Sequence, residues 1–216
     1  MKQSSHQVAT DSKPKRLSRE VMEHRILSAA EEIFAQHGYQ GAVLEAIAES
    51  VGLSKQNMLY YFPSKTVLYQ SVLQNILDLW VSKMALLEQQ GSDPKIMLTN
   101  YIRGKIDLSR LHPNGSKVFA NEVINGAPRL KDYLHINLLP QLEADVQLVR
   151  QWIAEGKMDS IDPYHLFFVI WSATQTYADF SSQIQLVLGK PKLEEKDFDN
   201  ASEFLIHLVL KGVGIT

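Results

Sequence analysis

The chain has 216 residues, of which 45% are hydrophobic and 21% are charged, with a net charge of −2 and no cysteine. This composition is typical of an ordinary globular protein, and the lack of cysteine excludes disulfides, thiolate zinc sites and a cysteine nucleophile. No apolar run approaches the ~20 residues that cross a bilayer, and the polar start does not resemble a signal peptide. We therefore expect a cytoplasmic protein with no membrane partner.

The first segment, residues 1–17, is polar and contains the basic run Lys-Pro-Lys-Arg at 13–16. Its composition predicts a disordered basic arm. Residues 1–25 hold six basic and three acidic side chains, so the rest of the chain is acidic. A basic front on an acidic body indicates a polyanionic partner, although a merely solvated tail has the same composition.

Residues 18–63 show three short helical stretches. Apolar residues recur at helical spacing up to Gly38, and again from Leu44 to Val51. Only Gly52, Leu53 and Ser54 separate the second stretch from the third. Two helices joined by a tight glycine turn predict a helix-turn-helix, so we expect a DNA-binding domain over 18–63.

The third helix of this domain divides into an apolar and a polar side. We expect Met58, Leu59 and Phe62 to pack inward. Amide side chains can pair with adenine, lysines with guanine or phosphate, and tyrosine hydroxyls with phosphate oxygens. The predicted DNA-binding residues are Lys55, Gln56, Asn57, Tyr60, Tyr61 and Lys65.

Residues 64–216 are also helical, and no alternating strand pattern appears, so the predicted fold is all-α. Ser64 is expected to cap a long helix that runs to about residue 89. The further predicted helices are 95–110, 116–125, 128–156, 163–188 and 197–212. The last two are apolar on more than one face, which predicts a homodimer through a four-helix interface.

The segment Leu44–Lys65, LEAIAESVGLSKQNMLYYFPSK, resembles the DNA-binding signature of the TetR family of bacterial regulators. The resemblance implies a three-helix helix-turn-helix domain followed by a helical ligand-binding and dimerisation domain. It also implies a dimer on palindromic operator DNA. Ala42 and Val43 stand where many members carry Thr, and Gln56 and Leu59 replace a frequent small residue and a frequent Tyr. These departures concern base preference rather than fold.

Later segments are similar to one branch of that family, the RutR-type regulators of pyrimidine utilisation. The similar segments are Asn125–Pro128, Ile161–Pro163 and the stretch from Ile170 to Phe180. This similarity implies a repressor whose DNA affinity responds to uracil or thymine. The alternative is a regulator of the same type that senses a different small hydrophobic or aromatic effector.

A pyrimidine site needs flat apolar walls and a few convergent polar groups. Trp171 and Gln175 are four residues apart on one helix, so they share a face, and they can stack on the ring and pair with its amide edge. Glu122 is the third predicted ligand-binding residue. Five more polar residues lie on apolar helices: Tyr101, Lys105, Asn121, Tyr177 and Asp179. Of these, Lys105 is expected to be solvated. The histidine spacing predicts no metal site, and no cofactor is expected.

Two other classes of function compete with a regulator. An enzyme is disfavoured because the chain has no Gly-x-Ser-x-Gly elbow and no phosphate-cradling glycine loop, and its paired carboxylates are sequence neighbours on different helical sides. A helical interaction module would bind no DNA. DNA affinity that falls steeply with salt distinguishes the regulator from such a module.

Overall fold

The computed structural model describes residues 18–84 and 93–215, which form helices and contain no strand. This confirms the predicted all-α class. No helix in the described part is long and apolar enough to span a membrane. In chain order the helices are α1 (Arg19–Gly41), α2 (Leu44–Ser50), α3 (Lys55–Leu59), α4 (Lys65–Met84), α5 (Pro94–Leu111), α6 (Pro113–Ile124), α7 (Lys131–Tyr133, a π-helical turn Leu134–Leu138, and Leu139–Ala154), α8 (Pro163–Asp179), α9 (Ser181–Leu188) and α10 (Glu195–Gly212).

The first three helices form the helix-turn-helix unit, here termed the reader (residues 18–63). Gly38 adopts a φ of +65°, which bends the end of α1 toward α2. Gly52 adopts a φ of +74° in the turn before α3. The Ser54 hydroxyl then accepts a hydrogen bond from the Asn57 backbone N–H at 3.2 Å, which caps α3. The predicted basic arm, residues 1–17, lies outside the described residues.

The rest of the chain, from residue 64 onward, is termed the sensor. Its central helix is α5, which packs against both α8 and α10. The reader rests on the sensor mainly through α1, which packs against α6 and α4. One hydrophobic core runs from the reader through α4 to Val118 of α6, and a second lies among α5, α7, α8 and α10.

Two predicted helices differ from those observed. The single helix predicted over 163–188 is wrong, because α8 ends at Asp179 and α9 begins at Ser181. Phe180 between them has non-helical angles (φ −110°, ψ 27°), and no glycine or proline marks the break in the sequence. The helix predicted over 128–156 begins only at Lys131 and contains the π-helical turn. Residues 85–89 of the predicted long helix lie outside the described residues.

Candidate DNA interface and sensor site

The first turn of α3 carries three polar side chains that face solvent. Lys55, Gln56 and Asn57 are all exposed, whereas Met58 on the opposite side is 0% exposed in the reader core. α3 is therefore anchored by one buried side chain while its amide groups remain free to contact base edges. The Lys55 ammonium lies 2.7 Å from the Glu45 carboxylate of α2, and both groups are exposed. Such a surface ion pair is weak, so a phosphate can compete for this lysine.

The two predicted tyrosines lie just beyond α3, not within it. α3 ends at Leu59, and Tyr60 and Tyr61 occupy the following turn. Pro63 disfavours helical angles at Phe62, so the helix does not continue past this turn. Tyr60 is 72% exposed, and its ring lies perpendicular to that of Tyr61 at 5.5 Å. The Arg19 guanidinium at the start of α1 lies 5.5 Å from the Tyr60 ring centre and 6.0 Å from that of Tyr61.

Lys65 begins α4, at the junction of reader and sensor. Its ammonium donates to the Gln40 carbonyl oxygen at 3.2 Å and lies 4.9 Å from the Tyr39 ring centre. Lys65 is half-buried, so its charge is held near the end of α1 instead of extending freely. The structure thus places all six predicted DNA-binding residues on α3, on the turn after it, or at the first residue of α4.

The predicted effector residues lie on α8, against α5. The Trp171 indole Nε1–H donates to the Tyr101 hydroxyl at 2.6 Å, which ties α8 to α5. Gln175 is half-buried one turn further along α8. Among the described residues, its amide forms no hydrogen bond, so both its donor and its acceptor are available. The structure therefore keeps Trp171 and Gln175 together, as their spacing predicted.

Lys105 was expected to be solvated, and this prediction is wrong. Its side chain is only 4% exposed, and its ammonium lies 4.5 Å from the centre of the Trp80 ring. Burial lowers the pKa of Lys105 to about 8, although the Asp179 carboxylate acts in the opposite direction. The sequence signal was its position one turn after Tyr101, on the apolar side of α5 between Ile102 and Ile106.

Asp179 ends α8 beside this lysine. The Ser116 hydroxyl of α6 donates to its carboxylate at 2.6 Å. Burial raises the pKa of Asp179, and the hydrogen bond from Ser116 opposes that shift. Trp171, Gln175 and Asp179 follow each other at four-residue steps, so they form one row along α8. Lys105 and Tyr101 are likewise one turn apart on α5, and Tyr101 accepts the hydrogen bond from Trp171. The row on α8 and this pair on α5 therefore lie on two helices that pack against each other.

Glu122, the third predicted effector residue, has other neighbours. It is 3% exposed and accepts a hydrogen bond from the Arg129 backbone N–H at 2.7 Å. It also forms an ion pair with the Arg129 guanidinium at 3.5 Å and interacts with the Tyr69 hydroxyl. The structure does not bring Glu122 together with Trp171, because its partners lie where the sensor meets the reader.

The outer faces of α8 and α10 are apolar. The exposed side chains there are Phe168 and Val169 on α8, and Phe204 and Leu208 on α10. A groove of about 410 Å³ runs between α5, α8 and α10, and its walls include Val169, Leu208 and Val213. Neither Trp171 nor Gln175 lines this groove. Adjacent large apolar side chains on two helices mark a surface for another apolar surface or an apolar ligand.

Two arginines with aromatic partners were not predicted from the sequence. Arg19 stacks near Tyr60 and Tyr61, and Arg129 lies 3.7 Å from the Tyr39 ring centre. Each partner is remote in sequence, so no local spacing could have indicated either contact. Only the packing of α1 against its neighbours brings these groups together.

Two family models match the chain in succession. The model described as bacterial regulatory proteins, tetR family, matches residues 26–72, and the model of the YcdC-like protein C-terminal region matches residues 73–216. The chain is 40% identical to the HTH-type transcriptional regulator RutR of Escherichia coli strain K12 over 188 residues, which are 87% of this chain and 88% of that protein. The match to RutR of Shigella flexneri has the same identity and coverage.

Solved structures share the fold at low sequence identity. The ketosteroid transcriptional regulator KstR2 of Mycobacterium tuberculosis superposes with a TM-score of 0.73 at 18% identity, covering 88% of this chain and 94% of that one. A TetR-like transcriptional regulator from Rhodococcus sp. RHA1 superposes with a TM-score of 0.69 at 22% identity, covering 91% and 98%. At these identities the similarity establishes the architecture alone.

Proposed function

We propose that this chain, which belongs to the tetR family of bacterial regulatory proteins, is a repressor that binds palindromic operator DNA as a homodimer and releases or holds it according to a pyrimidine such as uracil or thymine. Family membership makes the chain a DNA-binding transcriptional regulator and not an enzyme. We expect it to act in the cytoplasm, where its DNA lies.

The observation that carries this proposal is the outward polar face of α3 and the turn after it. Gln56 and Asn57 are exposed on a helix anchored by the buried Met58, and amides of this kind pair bidentately with adenine in the major groove. Lys55 and Tyr60 flank them and can bind phosphate oxygens, which fixes the helix on the duplex. A short, rigidly held helix with this face fits a major groove.

The apolar face of α8 and α10 supports the homodimer. Val169 and Leu208 are 54% and 52% exposed, and a second copy of the same face would bury them through a two-fold four-helix contact. A palindromic operator also requires a dimer, because two recognition helices must stand about 34–36 Å apart to enter successive major grooves. Each subunit then reads one half of a palindrome.

The polar groups beside Trp171 support a pyrimidine effector. A pyrimidine ring presents two carbonyl acceptors, two N–H donors and two flat faces. The Lys105 ammonium can donate to a carbonyl, the Gln175 amide can pair with an N–C=O edge, and Trp171 can stack on the ring. This set is small and surrounded by apolar residues, as in most sites for small molecules. The similarity to regulators of pyrimidine utilisation points to the same class.

A second candidate effector is a larger apolar molecule. The groove of about 410 Å³ between α5, α8 and α10 is lined mostly by aliphatic side chains, and its polar side chains are Asp162, His165 and Thr174. Such a lining suits a hydrophobic ligand and offers little to a pyrimidine. The two candidates therefore differ in location, since the pyrimidine would contact Lys105 and Gln175, and the apolar ligand would contact Val169 and Leu208.

The effector would act by changing the spacing of the two readers. A ligand that favours a different spacing lowers DNA affinity by its differential binding, and DNA weakens the ligand by the same factor. A coupling of about 1–3 kcal/mol changes affinity roughly 5- to 150-fold. α4 joins reader to sensor, so we expect its movement to alter the spacing. Equal reader separation with and without ligand would contradict this mechanism.

The direct test combines DNA binding with calorimetry. A duplex selected from a random pool by the protein should bind with an affinity that falls steeply with salt, and binding that ignores salt would contradict the reader assignment. Titration with uracil and thymine should give heat, which Lys105→Met and Gln175→Leu should abolish. The matched controls are Lys131→Met and Gln183→Leu, both at exposed sensor positions. Heat only with apolar ligands, lost in Ile161→Asp, would favour the second candidate, because Ile161 lines the groove but precedes α8 and is not part of the proposed dimer face.

A further inference from the structure

A group of cationic and aromatic side chains joins the sensor to the reader. The Arg129 guanidinium, in the turn between α6 and α7, lies 3.7 Å from the centre of the Tyr39 ring and 5.7 Å from that of Tyr69. Tyr39 belongs to the reader and follows Gly38, the residue at which α1 bends toward α2. Arg129 is therefore a sensor side chain stacked on the hinge of the reader, and a guanidinium at this distance attracts the ring face.

Glu122 holds Arg129 in place from within the sensor. Its carboxylate accepts from the Arg129 backbone N–H at 2.7 Å and pairs with the guanidinium at 3.5 Å. Glu122 is buried, and an unpaired buried carboxylate is costly, so the pair resists separation. The turn leading to Arg129 is tight, because Ala127 has a positive φ of 51°. Both the backbone and the side chain of Arg129 are thus fixed relative to α6.

Tyr39 connects Arg129 to the start of α4 and to the segment before α2. Its hydroxyl shares a hydrogen bond of 2.9 Å with the Thr66 hydroxyl. The Lys65 ammonium also lies over the Tyr39 ring and donates to the Gln40 carbonyl oxygen. The Tyr39 ring is therefore contacted both by a cation from the sensor turn and by a cation from the first residue of α4.

The opposite end of α6 reaches the effector residues. Ser116, Phe119 and Glu122 follow each other at three-residue steps along this helix. Ser116 donates to Asp179 at the end of α8, and the Phe119 ring contacts the Trp80 ring at 4.6 Å. Trp80 in turn lies beneath the Lys105 ammonium. A displacement of α6 by a ligand beside Lys105 would thus move Glu122 and Arg129 together.

We propose that Arg129, oriented by Glu122, is a positioning residue that transmits the state of the effector site through α6 to Tyr39 and so sets the angle of the reader. This rests on the function proposed above, and it deepens it by naming the residues of regulation. The contacts of Arg129 are with Tyr39, Tyr69 and Glu122. Its role is to hold the reader in one orientation relative to the sensor.

The orientation is measured without DNA or effector by attaching two spin labels to one chain. The chain has no cysteine, so Glu49→Cys in the reader and Arg103→Cys on α5, both exposed, give a clean labelled pair. Excess unlabelled chain keeps one labelled subunit per dimer. We expect a narrow distance distribution that broadens in Arg129→Leu and in Tyr39→Leu. Arg129→Lys should broaden the distribution less than Arg129→Leu does. Tyr39→Phe keeps the ring and should leave the distribution narrow.

The matched control removes an arginine–tyrosine contact that lies wholly within the sensor. The Arg150 guanidinium of α7 lies 5.9 Å from the Tyr164 ring of α8, and Arg150→Leu should leave the distribution unchanged. If Arg129→Leu gives the same distribution as the parent, or if Arg150→Leu broadens it equally, the proposal is overturned. Circular dichroism on each variant separates a loosened reader from an unfolded one.

Regulation is measured on the selected duplex with uracil as the probe. The effect of uracil is the ratio of operator affinity without uracil to operator affinity with it. In Arg129→Leu this ratio should fall by about 3- to 10-fold, or to one where the parent's ratio is smaller than that. Loss of a partly buried cation–aromatic contact accounts for a change of this size. Uracil affinity in the absence of DNA should persist. An unchanged ratio overturns the transmitting role. If uracil leaves the parent's affinity unaltered, the proposed pyrimidine function fails instead, and the spin-label distances still decide the role of Arg129.

Discussion

The reader and the outer face of α8 and α10 are both exposed, yet they display opposite chemistry. The reader shows solvent an amide pair, a lysine and a tyrosine on α3 and its following turn. The α8–α10 face shows Phe168, Val169, Phe204 and Leu208. Polar groups at fixed positions suit a partner that offers hydrogen bonds and negative charge, whereas aliphatic groups suit a partner that excludes water.

This difference predicts how each contact responds to conditions. Contacts of the reader with phosphate should weaken as salt rises, because counterions are released on binding. Contacts of the α8–α10 face should be nearly indifferent to salt, because burial of apolar area drives them. The apolar face of α8 and α10 supports DNA binding only by holding the two readers of a dimer at the right spacing. Substitutions on this face should therefore impair DNA binding, although the face itself does not contact DNA.

The largest effect is expected from charging the apolar face. Val169→Asp combined with Leu208→Asp should convert the dimer to a monomer, since each carboxylate would be buried without a partner. Operator affinity should then fall by more than about 100-fold, because the second half-site is no longer bound within the same complex. Light scattering reports the mass and a duplex titration the affinity. Leu111→Asp, at an exposed apolar position on α5, is the control that should remain dimeric.

The next largest effect is expected on the pH dependence of stability, and it comes from the buried Lys105. Burial lowers the pKa of Lys105 to about 8 from 10.5, so between these pH values the unfolded chain binds a proton that the folded chain does not. The free energy of unfolding should therefore rise with pH across this window, by up to about 3 kcal/mol relative to Lys105→Met. Below pH 8 the difference should be constant. Denaturant unfolding at several pH values measures it, and parallel curves would contradict the burial. Gln183→Met, which removes no titrating group and lies at an exposed position, is the control that should give a curve parallel to that of the parent.

The amide pair of α3, Gln56 and Asn57, should contribute less to operator affinity than dimerisation does. Asn57→Ala and Gln56→Ala should each lower operator affinity by about 5- to 100-fold and relax the base preference at one position of each half-site. Neither change should alter the melting temperature, because both side chains are exposed. Binding to a panel of single-base variants of the duplex measures the preference. A uniform loss across the panel would mean that these residues contact the backbone instead.

The smallest effect is expected at Arg19. Arg19→Ala removes the guanidinium beside Tyr60 and Tyr61 and should lower operator affinity by about 2- to 5-fold, without changing the base preference. Lys55→Ala should act similarly and reduce the slope of log affinity against log salt by about one. An equal slope in Lys55→Ala and in the parent chain would place this lysine away from phosphate. Arg150→Ala, far from the reader, should match the parent in both measurements.

Much of the reader followed from local patterns. The turn at Gly52, the cap at Ser54 and the buried Met58 are all encoded within a few residues, so their geometry was predictable. Trp171 and Gln175 kept the shared face that four-residue spacing imposes. The break at Phe180 was not predictable, because apolar periodicity continues across it. Nor was the burial of Lys105, since a lysine is rarely enclosed and only the packing of α5 against its neighbours encloses this one.

By itself, the sequence determined the all-α class, the helix-turn-helix and the division of each helix into apolar and polar sides, because these depend on periods of three to four residues. The tertiary structure decided which remote side chains meet. It put Glu122 with Arg129 instead of Trp171, Arg129 with Tyr39, and Lys105 with Trp80. Helix spacing fixes what a side chain faces along its own helix, but the neighbour across the interface depends on how whole helices cross.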